Sequence, residues 1–96
     1  MYIINEENHS CIAACKDPYK AIDWLLDNDW ISPESCGITP DEQEFQLWEL
    51  TGASKEECET KPYIIRNYFK RMNFKKFKEI FEMFGIYFEE IDVIDY

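Results

Sequence analysis

Apolar residues at the start of the chain come in two short runs with a polar segment between them. Residues 2–4 are aromatic or β-branched, residues 5–10 are polar, and residues 11–15 are apolar again. Two short apolar runs around a polar connection are typical of a β-hairpin, here with a connection longer than the tightest turns. Near the other end of the chain, apolar residues predict one further strand, which would return to pair with this hairpin: Ile86, Phe88, Ile91 and Val93.

Helix-start signals fill the region between the hairpin and the last strand. Asp17 before Pro18 predicts a helix that runs to about Asn28, because Asp caps a helix N-terminus and Pro suits its first position. Ser54 with Glu57 three residues later is a capping box. Pro62 interrupts the helix that this box starts.

The clearest amphipathic pattern lies in the last helix, which Asn73 caps and which Gly85 ends. A helical pattern from Tyr63 to Met72 precedes it. In the last helix, apolar residues recur at three- and four-residue intervals: Phe74, Phe77, Ile80, Phe81 and Phe84. Both segments therefore predict helices.

The segment from Thr39 to Gly52 admits two interpretations. Thr39 and Glu42 form a capping box around a proline at the first helical position, which predicts a helix that ends at Gly52. The alternation of Phe45 and Leu47 with their neighbours predicts a strand instead. We favour the helix because of the capping chemistry.

These elements predict an α+β fold, a small antiparallel sheet (N-terminal hairpin plus C-terminal strand) packed with three to four helices. The chain is 46% hydrophobic and 17% aromatic without a compositional break, so we expect one domain over residues 1–96. No apolar run approaches the roughly 20 residues that span a bilayer, and the N-terminus lacks the features of a secretory signal. We therefore expect a cytoplasmic protein with no membrane partner.

The four cysteines are predicted to be free thiols buried in the core. Thiols stay reduced in the cytoplasm, and spacings of 4, 21 and 22 residues include no C-x2-C pair of a zinc site. Zinc, redox and disulfide roles are the less favoured alternatives. The residues concerned are Cys11, Cys15, Cys36 and Cys58.

Nothing in the sequence points to catalysis or to a cofactor. His9, the only histidine, lies in the polar connection of the hairpin, and we interpret it as a surface residue because nothing beside it orients a general base. The sequence contains no EF-hand calcium loop, glycine-rich phosphate loop or nucleophile elbow. We therefore expect a non-enzymatic protein without a cofactor or metal.

Charge is sorted into blocks along the chain, whose net charge is −10. Residues 1–62 carry fourteen acidic and four basic side chains, residues 63–78 carry six basic and no acidic ones, and residues 79–96 carry six acids and no base. Such a chain repels acidic surfaces and is attracted to basic ones. This suggests a partner that is bound by electrostatic complementarity.

Acidic residues between positions 41 and 59 are the first candidates for a protein-binding surface, because two capping segments there would hold carboxylates on ordered helix starts. They are Asp41, Glu42, Glu44, Glu49, Glu56, Glu57 and Glu59. Displayed in this way, they would imitate a phosphate backbone and occupy a basic, nucleic-acid-recognising site on a partner protein. The plainer alternative is a set of solvated faces.

Three interpretations stay open for the basic segment. In the first, it pairs within the chain and neutralises the acidic remainder, for example through i, i+4 pairs in the last helix. In the second, a small nucleic-acid-binding accessory protein uses it to contact phosphates. In the third, it docks an acidic protein or a second copy of a self-associating structural protein. The residues are Arg66, Lys70, Arg71, Lys75, Lys76 and Lys78.

Two parts of the chain carry a resemblance to a known group of proteins. One is HSCIAACKD at 9–17 followed by AIDWLL at 21–26 and DWI at 29–31, and the other is FKKFKEIF at 74–81 followed by GIYFEEIDV at 85–93. The arrangement resembles small acidic open reading frames of phages and mobile elements of Gram-positive bacteria. The resemblance implies a mobile-element setting, in which small acidic proteins include inhibitors such as anti-CRISPR proteins, and it assigns no functional residue. The leading hypothesis is a non-enzymatic inhibitor that occludes a nucleic-acid-binding site on a host protein.

Overall fold

The computed structural model describes residues 1–92. In chain order the elements are β1 (Tyr2–Glu6), β2 (His9–Cys15), α1 (Ala21–Asp27), β3 (Cys36–Ile38), β4 (Glu44–Gln46), α2 (Leu47–Thr51), α3 (Lys55–Thr60), α4 (Tyr63–Lys70), α5 (Phe74–Met83) and β5 (Ile86–Glu90). The predicted α+β fold is confirmed, with five helices in this part of the chain rather than three to four, and with a second hairpin that was not predicted. Val93, which was predicted in the last strand, lies outside the described residues.

The main sheet has the order β2-β1-β5, and each neighbouring pair is antiparallel. Strand β1 pairs with β5 along its whole length, from Tyr2 opposite Glu90 to Glu6 opposite Ile86. The hairpin connection is shorter than predicted, because Glu6 also pairs with His9 across the turn. Polar residues that were predicted as a loop therefore belong to the strands.

Residues 39–51 do not form the single helix that the Thr39 capping box predicts. They form the loop and second strand of the β3–β4 hairpin, and helix α2 begins only at Leu47. Thr39 Oγ1 does accept a backbone hydrogen bond, but it comes from the N–H of Gln43 at 3.1 Å, across the hairpin loop. The prediction that Thr39 caps a helix was therefore wrong, because its hydroxyl stabilises a hairpin loop and the N-cap of α2 is Gln46.

The alternating pattern, the less favoured interpretation, predicts a strand correctly at Phe45 but not at Leu47, which begins helix α2. Phe45 pairs with Gly37 across the two strands, and its ring lies edge-on to Phe84, with 5.2 Å between ring centroids. The Phe45 ring lies over Gly37 so closely that a Cβ on this glycine would approach it to 2.6 Å. These contacts join the hairpin to the end of α5, and they stabilise a strand where local capping chemistry favours a helix.

Capping residues predict two of the other helix starts. Ser54 Oγ and Asn73 Oδ1 each accept the N–H three residues later, at 3.1 and 2.9 Å, and so cap α3 and α5 as predicted. Gly85 follows α5 in the left-handed conformation, with φ 75°. Helix α1 begins at Ala21 rather than at the predicted Pro18. The Asp17 carboxylate accepts the N–H of Tyr19 in a turn that leads directly into α1, since the Ala21 N–H donates to the Asp17 carbonyl at 3.3 Å.

The core lies where the sheet packs against the helices, with an aromatic cluster at its centre. Ring centroids in this cluster are 4.6–5.9 Å apart, and such pairs contribute about 0.5–1.5 kcal/mol each beyond their buried area. The residues are Phe69 of α4, Phe77 and Phe81 of α5, and Phe88 of β5. The cluster fixes α4 against α5 and therefore fixes the surface that these two helices share.

The cysteines are free but not all buried, contrary to the prediction. Only Cys58 is fully buried, Cys15 is half-buried, and Cys11 and Cys36 are exposed. Cys11 adopts φ 53°, a conformation that breaks the strand alternation on which its predicted burial depended. Cys36 begins a two-stranded sheet that is too small to enclose its side chain.

Candidate functional site

The seven predicted acidic residues do not form one surface. Asp41 and Glu42 lie in the β3–β4 loop and Glu44 lies on β4, whereas Glu49 belongs to α2 and the other three to α3. Glu49 has a structural role, because its Oε2 accepts the N–H of Gln46 at 2.6 Å and completes the capping box of α2. The expectation of carboxylates on ordered helix starts is right for α3 and wrong for the hairpin loop.

Carboxylates from two segments meet at one lysine beside α3. Lys55 Nζ lies 2.9 Å from a carboxylate oxygen of Glu34, and the charges of Glu56 and Glu59 also act on Lys55. The hydrogen bond from Lys55 lowers the pKa of Glu34. The same contact with Glu34 raises the pKa of Lys55. Lys55 thus lies among several carboxylates. Of these, Glu34 was not among the predicted residues.

Next to these residues lies a groove of about 260 Å³, which we call the acid-rimmed groove. Buried and half-buried apolar side chains form its floor, and the exposed Pro62 lies at its edge. The floor residues are Leu26, Ile31, Pro33, Cys58 and Ile65. Its rim carries three exposed carboxylates, Asp27, Asp29 and Glu59, and none of its lining residues is basic. An apolar floor with an acidic rim matches the two parts of a Lys or Arg side chain, the hydrocarbon stem and the charged head.

The carboxylates at the end of α1 lie where the helix itself disfavours them. Asp27 is the last residue of α1, with no basic residue in the last turn, and the partial negative charge of a helix C-terminus makes an acid there unfavourable by roughly 0.3–1 kcal/mol. Asp29 adopts φ 59°, in the left-handed region that favours glycine. Two hydrogen bonds hold this turn, from the Asp29 N–H to the Leu26 carbonyl at 3.3 Å and from the Trp30 N–H to the Leu25 carbonyl at 2.9 Å. Helix stability therefore does not account for these two acids.

The basic segment pairs with the acidic remainder at one position within residues 1–92. Arg66 forms an ion pair with Asp23 and so joins α4 to α1. Neither of the i, i+4 pairs considered for α5 forms an ion pair; Lys78 Nζ instead lies 5.8 Å from the centroid of the Phe74 ring. Internal neutralisation thus holds for Arg66, and within residues 1–92 none of the other five basic residues forms an ion pair.

A second groove, of about 490 Å³, lies along α4 and reaches the first turn of α5; we call it the basic groove. Half-buried side chains form its floor: Ile64, Tyr68 and Met72. Exposed side chains form its rim: Tyr63, Asn67, Arg71 and Lys76. None of its lining residues is acidic. Burial raises the pKa of Tyr68, so this phenol stays neutral.

The structure thus brings Arg71 and Lys76 together and leaves the other four predicted basic residues outside the lining of this groove. Sequence reasoning missed Tyr63 and Asn67. The signal that points to them is their four-residue spacing with Arg71, which places all three on one side of a helix. It missed the role of Asp29 as well, although an acid just beyond a predicted helix end is itself unusual.

His9 is exposed, as predicted. Its Nδ1 lies 2.7 Å from Glu6 Oε2, and its ring lies edge-on to Trp30 with 5.6 Å between centroids. The hydrogen bond with His9, and after it the one from the Asn8 N–H, lowers the pKa of Glu6. Within residues 1–92, no group of three or more His, Cys, Asp or Glu side chains is arranged to hold a metal ion.

Comparisons with protein-family models, with curated proteins and with solved structures gave no match. In the part of the chain described above, no helix has both the length and the apolar composition needed to cross a membrane. Inferences about function therefore start from the two grooves and from the charges around them.

Proposed function

We propose that this protein is a non-enzymatic binding protein that takes a basic side chain of another protein into the acid-rimmed groove. The observation that carries the proposal is an apolar floor bordered by three carboxylates from two separate segments of the chain. The net charge of −10 supports it, because the field of the whole molecule attracts a basic surface and accelerates the encounter.

Arginine is the side chain that fits this groove best. Its stem packs on apolar surface, and its planar guanidinium carries five N–H donors that bond two or more carboxylate oxygens at once. Asp27 and Asp29 lie two residues apart at the end of α1, and Glu59 approaches from α3. Carboxylates that flank an open groove from two directions can each accept one of these N–H groups.

Such binding would occlude a site where the partner holds nucleic acid. Arginine is the commonest residue for bidentate recognition of phosphate, so an arginine that recognises a phosphate backbone also recognises paired carboxylates. The resemblance to small acidic proteins of phages and mobile elements agrees with an inhibitor of this kind. In that setting the partner is a host protein with a basic, nucleic-acid-recognising surface.

The first test measures binding of a short arginine peptide, acetyl-Gly-Arg-Gly-Arg-Gly-amide, by chemical-shift titration of the labelled protein. The groove variant Asp27→Asn/Asp29→Asn/Glu59→Gln should bind about fivefold more weakly or worse, since each exposed ion pair contributes about 0.2–1 kcal/mol. The matched control Asp41→Asn/Glu42→Gln/Glu44→Gln removes the same number of charges from the β3–β4 hairpin. Equal losses in both variants would show an effect of net charge alone and contradict the proposal.

The second test concerns occlusion. Immobilised protein is incubated with a Gram-positive host lysate, with and without nuclease, and the captured proteins are identified by mass spectrometry. We expect one nucleic-acid-binding protein, recovered better after nuclease treatment and lost with the groove variant. The purified partner should then release a labelled oligonucleotide when this protein is added. Retention of the oligonucleotide at saturating protein would reject the occlusion mechanism.

A further inference from the structure

The basic groove has a different chemistry from the acid-rimmed groove and shares no lining residue with it. Tyr63, Asn67 and Arg71 follow one another at four-residue intervals, so each lies about 6 Å further along the helix axis than the one before. An aromatic ring, an amide and a guanidinium thus stand in a row over about 12 Å. Lys76 joins them from α5 at the Arg71 end.

The two cations at that end have no anionic partner within residues 1–92. Neither Arg71 nor Lys76 forms an ion pair there, and the groove has no acidic lining residue. The first turn of α5, which contains Lys76, also has no acidic residue, so the partial positive charge of the helix N-terminus adds to that of the side chains. This end of the groove therefore suits an anion.

The other end suits a flat aromatic ring. Tyr63 is 51% exposed although it is one of the largest side chains of the protein, so a face of its ring is open for stacking. Asn67 beside it carries one donor and one acceptor group, the pair that matches the N6 and N7 atoms of adenine. The floor is held in place below, where Tyr68 packs edge-on to Phe69 and the Tyr19 hydroxyl donates to the Met72 carbonyl at 2.8 Å.

We propose that the basic groove binds a nucleotide, with its base against Tyr63 and Asn67 and its phosphate at Arg71 and Lys76. A volume of about 490 Å³ lies within the roughly 300–1,000 Å³ of small-ligand sites. A free nucleotide and one nucleotide of a single strand present the same chemistry to these residues. The net charge of −10 opposes a long polyanion more than a single phosphate. The site is independent of the acid-rimmed groove and of the function proposed above.

Calorimetric titration with AMP, adenosine, ribose 5-phosphate and an eight-nucleotide oligo(dA) tests this site. We expect AMP to bind more tightly than either fragment. Tyr63→Ala should weaken AMP binding by about tenfold, because stacking of a base on an aromatic side chain is worth about 1–3 kcal/mol. Tyr63→Phe should preserve it. An oligonucleotide that binds much more tightly than AMP, with an affinity that falls steeply as salt rises, would identify single strands as the source of the nucleotide.

Neighbouring lysines supply the matched control. Lys76→Gln removes a rim cation, whereas Lys75→Gln removes the same charge from the adjacent exposed position outside the groove lining. Only the former should weaken AMP binding, and urea denaturation of both variants should show equal stability. Absence of AMP and oligonucleotide binding at millimolar ligand, or equal losses in the two variants, would overturn the proposal. The groove variant Asp27→Asn/Asp29→Asn/Glu59→Gln should still bind AMP, which separates this test from that of the proposed function.

Discussion

Replacement of Asp29 by glycine separates what this residue does for the fold from what it does for binding. Asp29 sits just beyond the end of α1 with φ 59°, and backbone hydrogen bonds to the Leu25 and Leu26 carbonyls close the turn around it. These bonds involve main-chain groups only and survive the substitution. Glycine adopts this conformation without the steric conflict that a Cβ brings.

The expected gain in stability is the sum of three terms. Relief of the left-handed conformation contributes about 1 kcal/mol, and removal of a carboxylate from beyond a helix C-terminus contributes about 0.3 kcal/mol. The greater freedom of glycine in the unfolded chain opposes them by about 0.4–1 kcal/mol. Asp29→Gly should therefore raise the free energy of unfolding by about 0.5 kcal/mol, or the Tm by about 2–4 °C for a domain of this size.

Urea denaturation followed by tryptophan fluorescence measures this change, with Asp29→Ala as the control. Alanine tolerates a positive φ less well than aspartate, so the order of stability should be Gly, then Asp, then Ala. The glycine variant should at the same time bind the arginine peptide more weakly than the wild type. A glycine variant that is less stable than the wild type by 1 kcal/mol or more would refute the reasoning, since it would show that the Asp29 side chain stabilises the fold.

Three further outcomes follow from single contacts. Gly37→Ala should lower the free energy of unfolding by about 1–3 kcal/mol in urea denaturation, because the new methyl group would meet the Phe45 ring at 2.6 Å. An unchanged urea midpoint would show that the β3–β4 hairpin is absent. Because the pKa of Glu6 is lowered, its contribution to stability is present above about pH 4.5 and is lost as the pH falls through the folded-state pKa. Glu6→Gln should therefore flatten the acid limb of a stability–pH profile measured by thermal denaturation. An acid limb identical to that of the wild type would contradict this prediction. In thiol labelling of the native protein, the exposed Cys11 and Cys36 should react within minutes. Cys58 is 1% exposed and should react only at the rate of unfolding. Labelling of Cys58 as fast as the exposed thiols would show that this part of the core is open.

Local sequence signals predicted those parts of the fold that depend on neighbouring residues. Ser54 and Asn73 each satisfy an N–H three residues away, so their caps follow from the sequence itself. The segment after Thr39 depends on the contact of Phe45 with Gly37 and on the packing of its ring against a residue nearly forty positions later. Such contacts outweigh a capping signal and cannot be inferred from local periodicity.

The candidate sites were predictable only to the extent that their residues are adjacent in sequence. The acid-rimmed groove joins Asp29, at the end of α1, to Glu59 on α3, and Glu34 reaches the same region from a loop. Composition identified an acidic protein correctly but gave no means of choosing among twenty carboxylates. The basic groove was partly accessible, because the basic segment is continuous in sequence and its helical spacing defines one side of α4.

The position of an acidic residue relative to the helix dipole shows whether it stabilises the fold. The glutamates in the first turn of α3 lie at a positive helix end, where they stabilise the helix, so folding is a sufficient reason for Glu56 and Glu57. Asp27 and Asp29 lie at or just beyond the C-terminus of α1, where the negative end of the helix dipole disfavours acids. The lysines in the first turn of α5 lie at a helix N-terminus, where the dipole favours acids over bases. A sequence optimised for stability alone would reverse both arrangements. Departures from this rule are expected at functional sites, and in this protein Asp27 and Asp29 border the acid-rimmed groove, while Lys76 borders the basic groove.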